Sequence, residues 1–371
     1  MAKSDKLRKA KEEEYDEFYT QYMDIQLEIN AYLDYNPDTF KDKIILLPCD
    51  DPEWSNFTKF FAENFELLGL KKLISTSYSL DNKNRKGLAF GYQFTIDDYL
   101  TDIETKSPKY NPEITASRGK IFTLERGDNI GRVDINNLKW DYLEGDGSYD
   151  SEEVTKLRDE SDIIITNPPF SIYIDIVRWI LETDKKFLII GNKGSSGYKE
   201  IFPYIRDERI WSGYTPWAGG MWFRTIHPTN YDKIENGSKM KNVASAWFTN
   251  LEHGHIHEPL CPRLNSMEEN LRYSKHKDLV ERGFYNKYDN LDGIDVPYVD
   301  AIPNDYYGIM GVPSSFLEKW CPDEFEIVGL GAGNLAKQVG VTKNYRGRTD
   351  IAYTENGVHK CPFGRYLIRR K

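Results

Sequence analysis

Asp162-Ile163-Ile164-Ile165-Thr166-Asn167-Pro168-Pro169-Phe170 is the stretch on which the reading of this chain turns. Its β-branched run predicts a buried strand. Two prolines end that strand, because neither can donate to a ladder and each restricts the residue before it. The result is a rigid loop at a strand's C-terminal end, the edge where open α/β sheets take their ligands. Asn167 brings a neutral amide oxygen, Pro168 a carbonyl, Pro169 a fixed turn and Phe170 a flat apolar face. Such a set suits a planar group that carries an NH2.

Outward from this loop, strand and helix patterns alternate. Residues 44–48 read as a buried strand, 56–68 as an amphipathic helix and 72–78 as a second strand. Further strands are expected at 88–95 and 119–123, and a helix at 151–159. Beyond the loop come a helix at 172–181 and a strand at 187–191. This alternation predicts a doubly wound, parallel α/β sheet. Residues 6–34 carry apolar side chains at helical spacing, and 243–249 and 325–330 are later strand candidates.

The chain has 371 residues, a net charge of -10 and four widely spaced cysteines without a CxxC pair. Those cysteines fit reduced thiols in a cytoplasm. Mean hydropathy is -0.64. No run approaches the ~18 apolar residues of a membrane span, and the N-terminus lacks the apolar core of a signal peptide. His253, His255, His257 and Cys261 form a conceivable zinc set, but a polar strand or loop explains them better, so no metal is expected. The negative total hides a segregation. Residues 331–371 hold nine Lys/Arg against two acids, leaving 40 basic against 57 acidic groups elsewhere. Local sign decides where a polyanion docks. Lys343, Arg346, Arg348, Arg369 and Arg370 are therefore candidate phosphate contacts, unless the end is merely a solvated tail.

An exocyclic adenine amine matches the loop at 167. If Asn167 and the Pro168 carbonyl each accept one amine hydrogen, the nitrogen lone pair turns out of the ring plane toward a methyl sulfonium. Phe170 would stack on a base flipped from the duplex. For the methyl donor, the strand end Pro48-Cys49-Asp50-Asp51 and the helix start Ser55-Asn56 offer carboxylates and helix-start amides. A competitor is Gly329-x-Gly331-x-Gly333 after the strand at 325–330, a nucleotide-type turn that would make the arrangement permuted. Trp217 and Trp222, in a glycine-containing aromatic cluster, suit either a base pocket or a core.

Several segments together resemble the EcoRI-type adenine-specific DNA methyltransferase family. They are DEFYTQY at 16–22, PCDDPEWSNFTKFF at 48–61, TNPPFS at 166–171, GNKGSSGYKEIFPYI at 191–205 and DAIPNDYYGIMGVPSSFLEKWCPDEFEIVG at 300–329. The resemblance implies a Rossmann-like S-adenosylmethionine-dependent methyltransferase fold with a C-terminal DNA-recognition region. It also implies methyl transfer to adenine N6 in double-stranded DNA. By position it places Tyr19 and Thr20 near the donor's methionine part and Asp50 and Asp51 in the acidic donor motif. Asp146 falls where the donor adenine's amine is accepted, although Gly145-Asp146-Gly147 also reads as a plain turn. The acid that would clasp the donor ribose is absent, since the strand at 72–78 ends in Ser77 and Tyr78.

On this reading residues 1–225 form the catalytic domain and 226–371 the recognition region. The protein is expected to act as a cytoplasmic monomer, away from membranes, with a cognate restriction endonuclease as partner. An RNA or protein-glutamine methyltransferase and a catalytically idle DNA-binding protein are the alternatives.

Overall fold

The structure, a computed structural model, describes residues 19–79, 107, 109–127, 133–135, 138–225 and 229–371. The strand expected at 88–95 and the helix expected from residue 6 to 18 lie outside them. Two compact units interleave along the chain. The first comprises Met1–Asn192 and Ala218–Leu251, the second Lys193–Trp217 and Glu252–Lys371. Each therefore crosses the 225/226 boundary that the sequence suggested.

The first unit is built on β2 (Ile44–Leu47), β3 (Lys72–Ser77), β4 (Lys120–Glu125), β5 (Asp141–Tyr142), β6 (Ile163–Thr166), β7 (Lys186–Asn192) and β12 (Ser245–Thr249). Their order is β5-β4-β3-β2-β6-β7-β12. The central four, β3-β2-β6-β7, run parallel. IILL and IIIT are buried at every position, as expected when both faces of a parallel strand are covered. Chain order reverses between β2 and β6, since β3 lies on one side of β2 and β6 on the other. Their C-terminal ends therefore form the switch point of the sheet. The Rossmann-like α/β expectation holds, but the sheet is mixed: β4, β5 and β12 pair antiparallel.

Helices α1 (Tyr22–Tyr35) and α2 (Asn56–Glu63) supply Ile25, Ile29, Tyr32, Phe57, Phe60 and Phe61 to the core. They pack with Ile45, Leu47, Ile163 and Ile165 from the strands. Each such side chain contributes ~1.5–3 kcal/mol when fully buried. The helix expected at 6–34 is shortened: β1 (Tyr19–Thr20) is extended and pairs with β9 (Met221–Arg224). With β10 (Lys233–Glu235) and β11 (Ser238–Val243) they form a second sheet of order β1-β9-β11-β10.

The second unit holds the short strand β8 (Trp211–Ser212) and a sheet of β13 (Asn286–Lys287), β14 (Gly293–Asp295), β15 (Ile309–Pro313), β16 (Phe325–Leu330) and β19 (Arg365–Arg370). Its order is β13-β14-β15-β19-β16. A hairpin of β17 (Tyr353–Glu355) and β18 (Val358–Lys360) stands apart. The basic C-terminus is thus a strand inside a sheet and not a solvated tail.

Candidate active site

Parallel pairing of β2 with β3 and β6 brings three strand ends to one edge. The chain leaves β2 through Pro48 and Cys49 and reaches Asp50, which is buried. The Asp50 amide donates to Thr76 O at 2.9 Å, and its carbonyl accepts from the hydroxyls of Ser75 and Thr58. Both carboxyl oxygens accept as well: Oδ1 from Ser55 Oγ and Oδ2 from Thr166 Oγ1, each at 2.8 Å. Burial pushes Asp50 up to about 7, the nearby Asp51 charge adds to this, and the two hydroxyls oppose it.

Ser55 also caps α2 by accepting from Phe57 N at 3.0 Å. Asp51 shapes the turn, with Oδ1 accepting from Glu53 N at 2.9 Å. Its Oδ2 lies 3.1 Å from Lys120 Nζ, which also reaches Glu53 Oε2 at 2.7 Å. Lys120 stands here because β4 is antiparallel and puts it opposite Ser77. Trp140 lies against the same ammonium, 4.9 Å from ring centre to Nζ. Cys49 Sγ lies 3.8 Å from the Tyr78 hydroxyl, and burial holds that phenol well above its usual range.

The loop at 167 leaves β6 beside this cluster. Pro168 is buried, and Asn167, Pro169 and Phe170 are half-buried. Asn167 Nδ2 donates to Thr20 Oγ1 at 3.2 Å, and Asn56 Nδ2 donates to Thr20 O at 2.7 Å. Thr20 is therefore a joint between the two loops, fixed in place by the pairing of β1 with β9. The Tyr19 side chain lies outside the described set. After Pro169 a single 3-10 turn, Phe170–Ile172, leads into α5 (Tyr173–Leu181), following α3 (Pro112–Ser117) and α4 (Glu152–Glu160) in the chain. Phe170 packs on the core with part of its ring outward. A Cβ on Gly191 of β7 would come within 2.3 Å of the Tyr173 ring, so only glycine lets α5 sit this close.

Asp146 is exposed next to the end of β3: its carbonyl accepts from Ser79 N at 2.7 Å. Its Oδ1 accepts from Ser148 N at 3.0 Å, the geometry of an Asx turn. Gly147 and Gly119 both crowd Ser77 O, where added Cβ atoms would lie at 2.1 and 2.3 Å.

One edge thus gathers Thr20, Asp50, Asp51, Ser55, Asn56 and Asn167, with Thr166, Glu53 and Lys120 that the sequence reading missed. Thr166 had a signal, a lone hydroxyl ending an apolar run. Lys120 had none, because only the direction of β4 brings it here. Asp51, Glu53 and Lys120 leave net negative charge among the described residues. That donor set fits a cationic sulfonium with an ammonium group.

The other candidates, Trp222 of the first unit apart, lie in the second unit. Lys343, Arg346 and Arg348 are exposed on residues 342–349. Arg369 pairs with Glu326, and Arg370 lies over Tyr307, 5.0 Å from the ring centre. The five sit in two groups, because Arg369 is about 13 Å along β19 from Arg365, the end near the loop. Of the glycines of 329–333, Gly329 and Gly331 pack instead of cradling, while a Cβ on Gly333 would meet nothing within 4 Å. Cβ atoms at Gly329 and Gly331 would meet Val339 and Ile351 at 2.6 Å, and β16 pairs antiparallel with β19, so this is no nucleotide turn of a parallel sheet. Trp217 is core, its Nε1 donating to Ser212 Oγ at 2.8 Å. Trp222 is half-buried with Lys233 Nζ over its ring at 4.2 Å. His253 is buried against Ser212 O at 2.9 Å, and burial lowers it to about 4. Among the described residues no group of His, Cys, Asp and Glu is placed to hold a metal, and no helix is long and apolar enough to cross a membrane.

A parallel-cored sheet with an Asn-Pro-Pro-Phe loop at its switch point defines the class, an amino-group methyltransferase of Rossmann-like fold. The chain belongs to the family described as adenine-specific methyltransferase EcoRI, whose profile matches residues 6–371. It is 33% identical over 380 residues to the type II methyltransferase M.EcoRI of Escherichia coli, covering 98% of this chain and 96% of that one. It is 30% identical over 370 residues to the type II methyltransferase M.MpnI of Mycoplasma pneumoniae, covering 98% and 97%. M.MgeORF184P of Mycoplasma genitalium is 28% identical over 335 residues, covering 88% and 87%. No solved structure matches the chain significantly. The protein is an adenine-specific DNA methyltransferase of the type II restriction–modification class, and its reaction needs a methyl donor.

Proposed function

We propose that the chain transfers methyl from S-adenosylmethionine to N6 of a flipped adenine in a specific duplex site. One observation carries this reading: the Asn167 amide stands at the switch-point edge with its nitrogen bonded to Thr20 Oγ1. That bond takes one of the two amide hydrogens and fixes the plane of the group, which orients the oxygen to accept from an amine, as N6 requires. The Pro168 carbonyl takes the second amine hydrogen. The N6 lone pair is then freed from the ring and aimed out of plane, while Phe170 stacks on the base at ~1–3 kcal/mol. Fixed dipoles and orientation lower the barrier without a strongly basic side chain. The donor, when bound, supplies an electrophilic methyl on a sulfonium.

Asp51, Glu53 and Lys120 would face the donor's charged end, with Thr20, Asn56 and the Ser55 helix start beside it. Pro48 and Cys49 would line the donor's path, and Asp146 would face its adenine. Asp50 acts as a positioning residue, tying the donor loop to Thr166 and so to Asn167. The division at 225/226 is kept as one of roles, with the second unit supplying most of the recognition region and phosphate contacts from Lys343, Arg346, Arg348, Arg369 and Arg370. The setting we propose is a cytoplasmic monomer with a cognate restriction endonuclease.

The test is transfer of labelled methyl from S-adenosylmethionine to duplex DNA, followed by digestion to nucleosides. Label in N6-methyladenine is expected. Label only in N4-methylcytosine, RNA or protein would overturn the reading.

A further inference from the structure

Residues 361–364, Cys361-Pro362-Phe363-Gly364, lead from β18 into β19. Phe363 is 98% exposed, more than any other large apolar side chain among the described residues. Single exposed apolar residues are ordinary, but this one sits at the tip of a braced support. Gly364 turns the chain at a φ of 59°, and Arg365 anchors the base of the loop on Asp295, Nε to Oδ1 at 2.8 Å. Residues 342–349 are tied to the same hairpin. Asn344 Nδ2 reaches Cys361 Sγ at 3.4 Å, and the Tyr345 ring stacks on His359 with centroids 4.7 Å apart. Asn344 Oδ1 also accepts from the amides of Arg346 and Arg348 at 2.8 and 3.2 Å, which displays Lys343, Arg346 and Arg348 outward.

We infer that Phe363 is a wedge that enters the base stack of duplex DNA, with Lys343, Arg346 and Arg348 on the flanking phosphates. This rests on the DNA reading above. Basic groups around an apolar tip attract a polyanion and repel a second copy of the same patch. An inserted apolar side chain unstacks a base step and kinks the duplex by about 20–90°.

The experiment uses the full chain and a short duplex carrying a site found by mapping methylated adenines in DNA from expressing cells. Phe363→Ala, at a fully exposed position, should fold as wild type and bind roughly 5- to 150-fold more weakly. Energy transfer between dyes on the duplex ends should report straighter DNA. The slope of log affinity against log salt should stay unchanged, because the substitution removes no charge. In Phe363→Trp, emission should be quenched on adding duplex. Wild-type affinity and bend in Phe363→Ala, or steady emission in Phe363→Trp, would overturn the wedge. So would a dimer, seen by sedimentation, that Phe363→Ala dissolves while the bend persists. Wild type that bends and methylates this duplex separates failure of the wedge from failure of the function. If wild type leaves adenine unmethylated, both fall.

Discussion

Thr20 and Asn167 are 147 positions apart in the chain and one hydrogen bond apart in space. Removing the amide with Asn167→Ala should lower kcat about 10²–10³-fold, the cost of losing a preorganised acceptor. Thr20→Val keeps the shape and deletes the bond, so kcat should fall about 2- to 12-fold. Asn167→Ala should move Tm and donor affinity little, whereas Thr20→Val, at a residue beside the proposed donor site, should also weaken donor binding. A Thr20→Val enzyme with wild-type kcat would show that Thr20 does not orient the amide. Asp50 makes a different prediction. Its ordinary value is 3.8, and burial raises it to about 7 in the folded chain. Between those values the folded state keeps a proton that the unfolded state releases. Stability therefore falls as pH rises through this window. Asp50→Asn removes the titration and keeps a polar partner for Ser55 and Thr166. Urea melts at pH 4 and pH 7 should show the variant gaining on wild type as pH rises, and equal pH dependence in both would refute a raised Asp50.

At the scale of elements, the edge that carries the site was legible where local pattern decides it. The buried runs at 44–47 and 163–166 and the proline stop at 168 follow from residue chemistry alone. Strand direction does not, because the alternating KIFTLE of β4 reads the same whether β4 runs with β3 or against it. With β4 reversed, Lys120 arrives beside Asp51 and Glu53, a cation that no local motif announces. Helical spacing misleads at Tyr19 and Thr20 for a similar reason: their partner strand lies more than 200 residues away, and pairing overrides the spacing. The basic C-terminal region was legible as charge but not as geometry. Gln at Lys343, Arg346 and Arg348 should flatten the salt slope of DNA binding by roughly 0.9 for each phosphate no longer neutralised. Arg369→Gln should change it less, because Glu326 already holds that guanidinium. An unchanged slope in the triple variant would place residues 342–349 away from the DNA.

For the whole molecule, motif order and the family resemblance pointed to the class, and the family match bears it out. The layout was not legible: Gly/Ser- and Pro/Gly-rich stretches do flank the crossings after Asn192 (GNKGSSG, 191–197) and Trp217 (TPWAGG, 215–220), but such turns do not say which unit the chain enters next. That interleaving has a consequence for heredity. A new specificity could not pass between relatives in a single genetic crossover at 225, since that cut would leave each unit a mixture of both parents. A crossover at 251/252 spares the first unit whole, yet leaves the recipient's segment 193–217 inside a donor's second unit. If the second unit reads the site, intact exchange needs two blocks moved together. Lineages of such enzymes should then diversify their targets by point substitution more readily than by shuffling.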